Sequence, residues 1–416
     1  MINRDSYLQK LIDRMNNGMI KIITGIRRCG KSYILFEIFY NYLLKAGIQP
    51  SHIITIQLDD RANIKYRNPD ALYEYVKSKI RDNDNYYILL DEVQFVPEFE
   101  DVLNSFLHIK NVDVYVTDSN AKFLSSDIIT EFRGRGDQIH ISPLSFKEYF
   151  DSINMDFEDA WNEYSMYGGM PYLFNCKTDE QKIDYLSNLF KETYIKDIIE
   201  RNHIKNTNAL EDILNIISSS VGSLTNPYKL SNSFKSIKKE VISPITIKQY
   251  LDYCVDSFLI TKAYRYDVKG KKYIDTPLKY YFTDIGLRNV RIGFRQQEET
   301  HIMENIIFNE LINRGFNVDV GVVTINQKNE NNNYVRKQLE VDFVCNLGYE
   351  RYYIQSALSI DDNDKREQEE RSLLNIDDNF KKISIVRNNI KKWKDEKGVL
   401  FLGLKEFLTD LDSIKG

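Results

Sequence analysis

Cysteine is scarce in this 416-residue chain. Its four copies, Cys29, Cys176, Cys254 and Cys345, show no metal-ligand spacing, so reduced, non-catalytic thiols are expected rather than a disulfide scaffold or a zinc site. The five histidines form no paired arrangement either. No apolar run reaches the length of a membrane span, and Met1-Ile2-Asn3-Arg4-Asp5 does not begin a signal peptide. A cytoplasmic protein without a membrane partner is therefore expected. An excess of positive charge is also missing. The 56 Lys and Arg against 61 Asp and Glu leave a formal charge of −5, which argues against a protein that coats nucleic acid over its whole surface. The composition is 42% hydrophobic and 28% charged, an ordinary globular balance, and the length suits two to three domains.

Residues 22–32 organise the rest. Ile22, Ile23 and Thr24 lead into Gly25-Ile26-Arg27-Arg28-Cys29-Gly30-Lys31-Ser32, a G-x-x-x-x-G-K-S run, and residues 33–40 continue as an amphipathic helix. Strand, glycine loop and helix together make a phosphate cradle. Gly25 and Gly30 let backbone N–H groups turn inward, and the helix adds its unsatisfied N-terminal donors. Lys31 is placed to reach the β- and γ-phosphates of ATP, and the Ser32 hydroxyl to bind Mg²⁺. Arg27 and Arg28 either raise the positive potential there or lie in solvent.

Strand candidates at 19–24, 52–58, 86–90, 112–117 and 138–142 alternate with helical stretches, which predicts a parallel sheet covered on both faces. The third runs into Asp91-Glu92, at the ligand edge of such a sheet. Asp91 is expected to hold Mg²⁺ and Glu92 to orient the attacking water, because phosphoryl transfer is catalysed mainly by positioning and charge. After the fourth strand, Ser119 and Asn120 are candidates to contact the γ-phosphate or the water, or else to cap a helix. Arg133 and Arg135 lie in a glycine-containing turn, either as an arginine finger in cis or in trans or as solvated residues.

The C-terminal half reads differently. Residues 229–236, a helix announced by Thr246 and Gln249 as a capping box, and a hairpin over 260–274 have the order of a winged helix. Ten Lys or Arg stand against five Asp or Glu between residues 225 and 275, so double-stranded DNA and a protein are both open as partners. Helix 301–314 carries Glu304, and strands follow at 336–345 and 351–358. This order is similar to the restriction-endonuclease-like fold with its PD-(D/E)xK site, with Glu304 and Asp342 at the first two positions. At the third, Gln355-Ser356-Ala357 lacks the acid and the lysine, so nuclease chemistry is not expected.

Taken together, residues 25–32, Leu90-Asp91-Glu92-Val93-Gln94, Ser119-Asn120, Arg133-Gly134-Arg135 and Pro143-Leu144-Ser145-Phe146 resemble the AAA-type ATPase domain of a bacterial and archaeal group in which a C-terminal region of unknown function follows. Tyr167-Gly168-Gly169-Met170-Pro171, residues 281–287 and Glu340-Val341-Asp342-Phe343 match that region. Asp118 departs from the group, which usually has a small residue there. The resemblance implies an α/β, parallel-sheet P-loop NTPase core over 1–150. A helical connector over 151–204, a winged-helix domain over 205–297 and a degenerate PD-(D/E)xK-like α/β domain over 298–416 would follow it. The implied function is ATP binding and hydrolysis that controls what the C-terminal domains bind, in a monomer or an oligomer. An ATP-gated DNA nuclease and a slow nucleotide-dependent scaffold are the alternatives.

Overall fold

A computed structural model describes residues 2–118, 132, 134–239, 241–295, 298–328, 333–360 and 363–415. They form two compact units, one of residues 1–143 with 256–258 and the other of 144–255 with 259–416.

In the first unit, five strands are all parallel: β1 (Ile20–Thr24), β2 (Ile53–Gln57), β3 (Tyr86–Asp91), β4 (Val112–Thr117) and β5 (Gly136–His140), in the order β2-β3-β4-β1-β5. β1 and β3 are buried at every position, which is why both read as mainly apolar rather than alternating; the exception inside β1, Lys21, is buried against Asp113. Helices α1 (Asp5–Ile12), α2, α3 (Pro69–Lys79) and α4 (Phe99–Phe106) accompany the sheet. α2 begins at Lys31–Tyr33, widens to a π-helical stretch at Ile34–Phe39 and ends with Tyr40–Lys45. Asn68 starts α3 by accepting from the Ala71 N–H at 3.0 Å, with Pro69 in the first turn. Ile88, Leu90, Val114 and Val116 meet Leu72, Val76, Leu103 and Phe106 in the core. Because β4 lies between β1 and β3, the ends of three strands share one edge, and the functional loops are gathered there.

The second unit opens with α5 (Phe146–Asp151), whose Ser145 and Glu148 form a reciprocal capping box. It continues with α6 (Phe157–Tyr167), the long helix α7 (Asp179–Asn188, Leu189–Ile195, Lys196–Asn202) and α8 (Thr207–Ser219). Next come α9 (Pro227–Ser233), α10 (Pro244–Asp256), β6 (Ile260–Asp267), β7 (Lys272–Phe282), α11 (Ile285–Arg291) and α12 (Glu299–Asn313). The remaining elements are β8 (Asn317–Lys328), β9 (Tyr334–Leu347), β10 (Glu350–Ala357), α13 (Asn363–Leu374), β11 (Lys381–Val386), β12 (Trp393–Lys394), β13 (Val399–Gly403) and α14 (Leu404–Thr409).

Two details differ from the sequence reading. α10 starts two residues before Thr246, and its cap is Ser243, whose hydroxyl accepts from the Thr246 N–H at 3.0 Å. The hairpin β6–β7 is present, but β6 also pairs in parallel with β8, so the hairpin forms the edge of one eight-stranded sheet, β12-β13-β11-β10-β9-β8-β6-β7. Open backbone groups on β6 make this pairing favourable, and a boundary at residue 298 would cut through that sheet.

Candidate nucleotide site

The loop after β1 has the backbone that its glycines allow. Gly25 has φ +149° and Gly30 φ +101°, and Arg28 sits at φ +66°. A Cβ on Gly25 would lie 2.1 Å from the Ile141 carbonyl oxygen, so glycine is required by close approach as well as by torsion. Lys31, only 4% exposed, donates to the carbonyls of Gly25 at 2.9 Å and Ile26 at 3.3 Å. Its ammonium is thus held inside the loop, on the side the turn encloses. Arg27 is half-buried and Arg28 exposed. The Cys29 thiol is buried, 3.4 Å from the Ile141 carbonyl, and burial raises its pKa.

The outer face of the loop is fastened by a residue that the sequence reading passed over. Arg4, buried at the start of α1, donates to the Cys29 carbonyl at 3.0 Å and to the Ser142 carbonyl at 2.8 Å. Drawing the Cys29 carbonyl outward turns the N–H of the same peptide unit, that of Gly30, the other way. A second unforeseen neighbour is His140 at the end of β5. Burial and the nearby Lys31 ammonium bring its pKa down to about 4, so it stays neutral at physiological pH.

At the ends of β3 and β4, three residues form one network. The buried Thr117 hydroxyl donates to Asp91 Oδ1 and accepts the Glu92 N–H at 2.9 Å. Ser32 also hydrogen-bonds Asp91, and this bond and that of Thr117 lower the Asp91 pKa against burial, which prevails and raises it. Glu92 adopts a left-handed conformation at φ 52°, ψ 52°, unusual for a residue with a side chain, and Gln94 donates to its carboxylate. Lys31, Ser32, Asp91 and Glu92 therefore meet at one edge of the sheet. Ser32 and Asp91 fit a divalent cation by their chemistry, an oxygen-only pair of hydroxyl and carboxylate. Asp118 is buried at the same edge, its N–H bonded to the Ile23 carbonyl at 3.0 Å.

Ser119, Asn120 and Arg133 lie outside the described residues. Arg135 is exposed and sits elsewhere than a role in cis requires. Its carbonyl accepts from the N–H of Ile20, the first residue of β1, whereas the phosphate loop leaves the last. Five residues at about 3.3 Å each separate the two ends, so the in-cis reading of Arg135 is corrected.

In the second unit, residues far apart in the chain converge on Glu304. Lys279 of β7 lies 2.8 Å from Glu304 and 2.7 Å from Glu340, and the Tyr281 hydroxyl donates to Glu304 at 2.6 Å. Burial works against the Lys279 ammonium, yet Glu304, Asp342 and Glu340 hold its pKa above the usual lysine value. Asp342 accepts from the Ser356 N–H and hydroxyl, both at 2.8 Å, while burial and the Glu304 charge push its pKa up to about 7. A lysine from β7 thus stands among these carboxylates. The sequence offered no signal for it, because only the sheet brings residues 279 and 304 together.

Residues 17–150 match a family described as an AAA domain, and residues 158–298 a domain of unknown function (DUF8612). The chain is 35% identical over 392 residues to an uncharacterised protein of Haemophilus influenzae, covering 92% of this chain and 93% of that one. It is 27% identical over 408 residues to an uncharacterised protein of Methanocaldococcus jannaschii, covering 94% and 84%. Among solved structures, the Orc1 protein of Aeropyrum pernix in complex with DNA aligns over 70% of this chain and 92% of its own, at 11% identity and a TM-score of 0.29. The Cdc6p protein of Pyrobaculum aerophilum aligns over 73% and 94%, at 12% identity and a TM-score of 0.28. Among the described residues no helix is long and apolar enough to cross a membrane.

Proposed function

Because the chain belongs to the same family as the Haemophilus influenzae protein and its residues 17–150 match an AAA domain, we propose that it binds and hydrolyses ATP at the loop of residues 25–32. The observation that carries this reading is the network in which Thr117 ties Asp91 to the backbone of Glu92 beside Lys31 and Ser32. Backbone N–H groups of the loop and the Lys31 ammonium hold the phosphates, and the following helix adds its donors. Ser32 and Asp91 would hold Mg²⁺, which supplies charge neutralisation for the leaving phosphate. Glu92 orients the attacking water and accepts its proton, and Gln94 holds its carboxylate.

In the second unit, α8, α9, α10 and the hairpin β6–β7 support a winged-helix reading. The order α12, three antiparallel strands, α13 and the parallel strand β11 supports a nuclease-like fold. We read that fold as lacking nuclease chemistry. Gln355 is a neutral amide, and the Lys279 ammonium already pairs with both Glu304 and Glu340. Nucleotide state would then control what this half binds.

Two substitutions test the proposal by fluorescent-ATP titration and phosphate release. Lys31→Ala should abolish binding and turnover while the thermal melt stays that of a folded protein. Glu92→Gln should keep binding and lose turnover by on the order of 10²–10⁴. ATP binding by Lys31→Ala with unchanged affinity would remove the central claim. Wild-type turnover no faster than that of Glu92→Gln would favour a slow switch, a reading to which the third carboxylate at this edge, Asp118, lends support.

A further inference from the structure

β8 and β9 extend past their neighbours. β6 pairs with β8 only at residues 320–322 and β10 with β9 only at 343–347, while β8 and β9 stay paired out to Lys328 and Tyr334. Among the described residues, 324–328 and 334–338 are thus a two-stranded ribbon without a third strand. Successive side chains on a strand alternate between faces. One face, with Val323, Ile325 and Leu339, packs into the core beside Leu373 of α13. The other carries Asn326, Lys328, Tyr334, Arg336 and Gln338, and its outer residues are exposed, Tyr334 at 73%.

Among the described residues this second face is basic, and Glu330 follows in the sequence between the two strands. No Asp or Glu occurs in 320–328 or 333–339, and Glu340, next along the same face, is taken by Lys279. Lys328 lies over the Tyr334 ring at 5.5 Å from its centroid. At the inner end, Arg265 of β6 is only 8% exposed and donates to Gln338 Oε1 at 3.3 Å. Its Nε has no hydrogen-bond partner among the described residues.

We propose that this ribbon face binds duplex DNA, with the exposed Lys328 and Arg336 contacting backbone phosphates and the Asn326 amide facing base edges. A two-stranded ribbon fits the major groove, and amide side chains are suited to adenine there. The charge is complementary to a polyanion. The surface lies outside residues 225–275, the basic segment for which the sequence reading left double-stranded DNA and a protein open.

The test is fluorescence anisotropy of the full chain with a fluorescein-labelled duplex of mixed sequence, titrated at salt between about 50 and 200 mM. Wild type should bind, with affinity falling steeply as salt rises. Lys328→Glu with Arg336→Glu should weaken binding at least about tenfold and reduce the slope of log affinity against log salt by about 2, since each lost phosphate contact removes about 0.9. The milder Lys328→Ala with Arg336→Ala should show the same change in slope. Lys239→Glu with Lys248→Glu should change affinity less than the ribbon variants do, and with no nucleotide added Lys31→Ala should bind DNA like wild type. No binding by wild type at the lowest salt would overturn the proposal, as would ribbon variants that bind unchanged. Stronger displacement by polyglutamate than by unlabelled duplex would point instead to an acidic protein and would also overturn it.

Discussion

Replacing Thr117 by valine keeps the shape of a buried side chain and deletes one hydroxyl. That hydroxyl donates to Asp91 Oδ1 and accepts the Glu92 N–H at 2.9 Å, so two polar groups lose a partner in a site where Asp91 is almost wholly buried. Each group left unsatisfied costs about 1–3 kcal/mol. Glu92 is also held in a left-handed conformation, a strain of order 1–3 kcal/mol that persists only while the surroundings enforce it. With its N–H released, that backbone should relax and carry the carboxylate out of line. A loss of about 2 kcal/mol in urea unfolding is expected, with a fall in single-turnover phosphate release of on the order of 10²-fold, the penalty typical of a catalytic group misplaced by about 1 Å. ATP affinity without Mg²⁺ should change little, because loop amides and Lys31 hold the phosphates. The acid limb of the pH–rate profile gives a readout that destabilisation alone would not move. The Thr117 bond lowers an Asp91 pKa that burial raises, so the variant should lose activity at a higher pH than wild type does. Wild-type turnover with an unmoved acid limb would refute the reasoning.

The loop and the second unit give two further expectations. Gly25→Ala would place a Cβ 2.1 Å from the Ile141 carbonyl, at φ +149°. The loop must then move by about 1 Å, and ATP affinity should fall by on the order of 10²-fold; fluorescent-ATP binding within threefold of wild type would count against the cradle. Asp284 accepts from the Gly169 and Leu287 N–H groups at 2.7 and 3.1 Å, yet burial pushes its pKa from 3.8 up to about 6. A raised folded-state value means its contribution is full below about pH 4 and is lost as pH rises through about 6, at about 1.4 kcal/mol for each pH unit between the two. Urea unfolding from pH 4 to 7 should therefore show wild type losing stability that Asp284→Asn does not lose, although the amide, breaking one of the two bonds, is less stable at low pH. Parallel curves for the two proteins would exclude the assignment.

The nucleotide loop, the buried strands and the Asp91-Glu92 pair were legible because each is contiguous. Glycine torsions, mainly apolar runs and a polar pair at a strand end are local properties, and local chemistry is enough to produce them. The order of a glutamate-bearing helix, an Asp342 strand and a further strand was legible for the same reason. The tertiary structure alone decided what depends on separation. Thr117 reaches Glu92 across 25 residues and Arg4 reaches Ser142 across 138, contacts for which no local period exists. Arg135 reads as a neighbour of the site in a turn beside glycines, but strand pairing puts it at the opposite end of β1. Lys279 meets Glu304 and Glu340 because the edge pairing of β6 with β8 carries β7 to α12, and there the buried Glu304 carboxylate demands a cation from whichever strand can supply one.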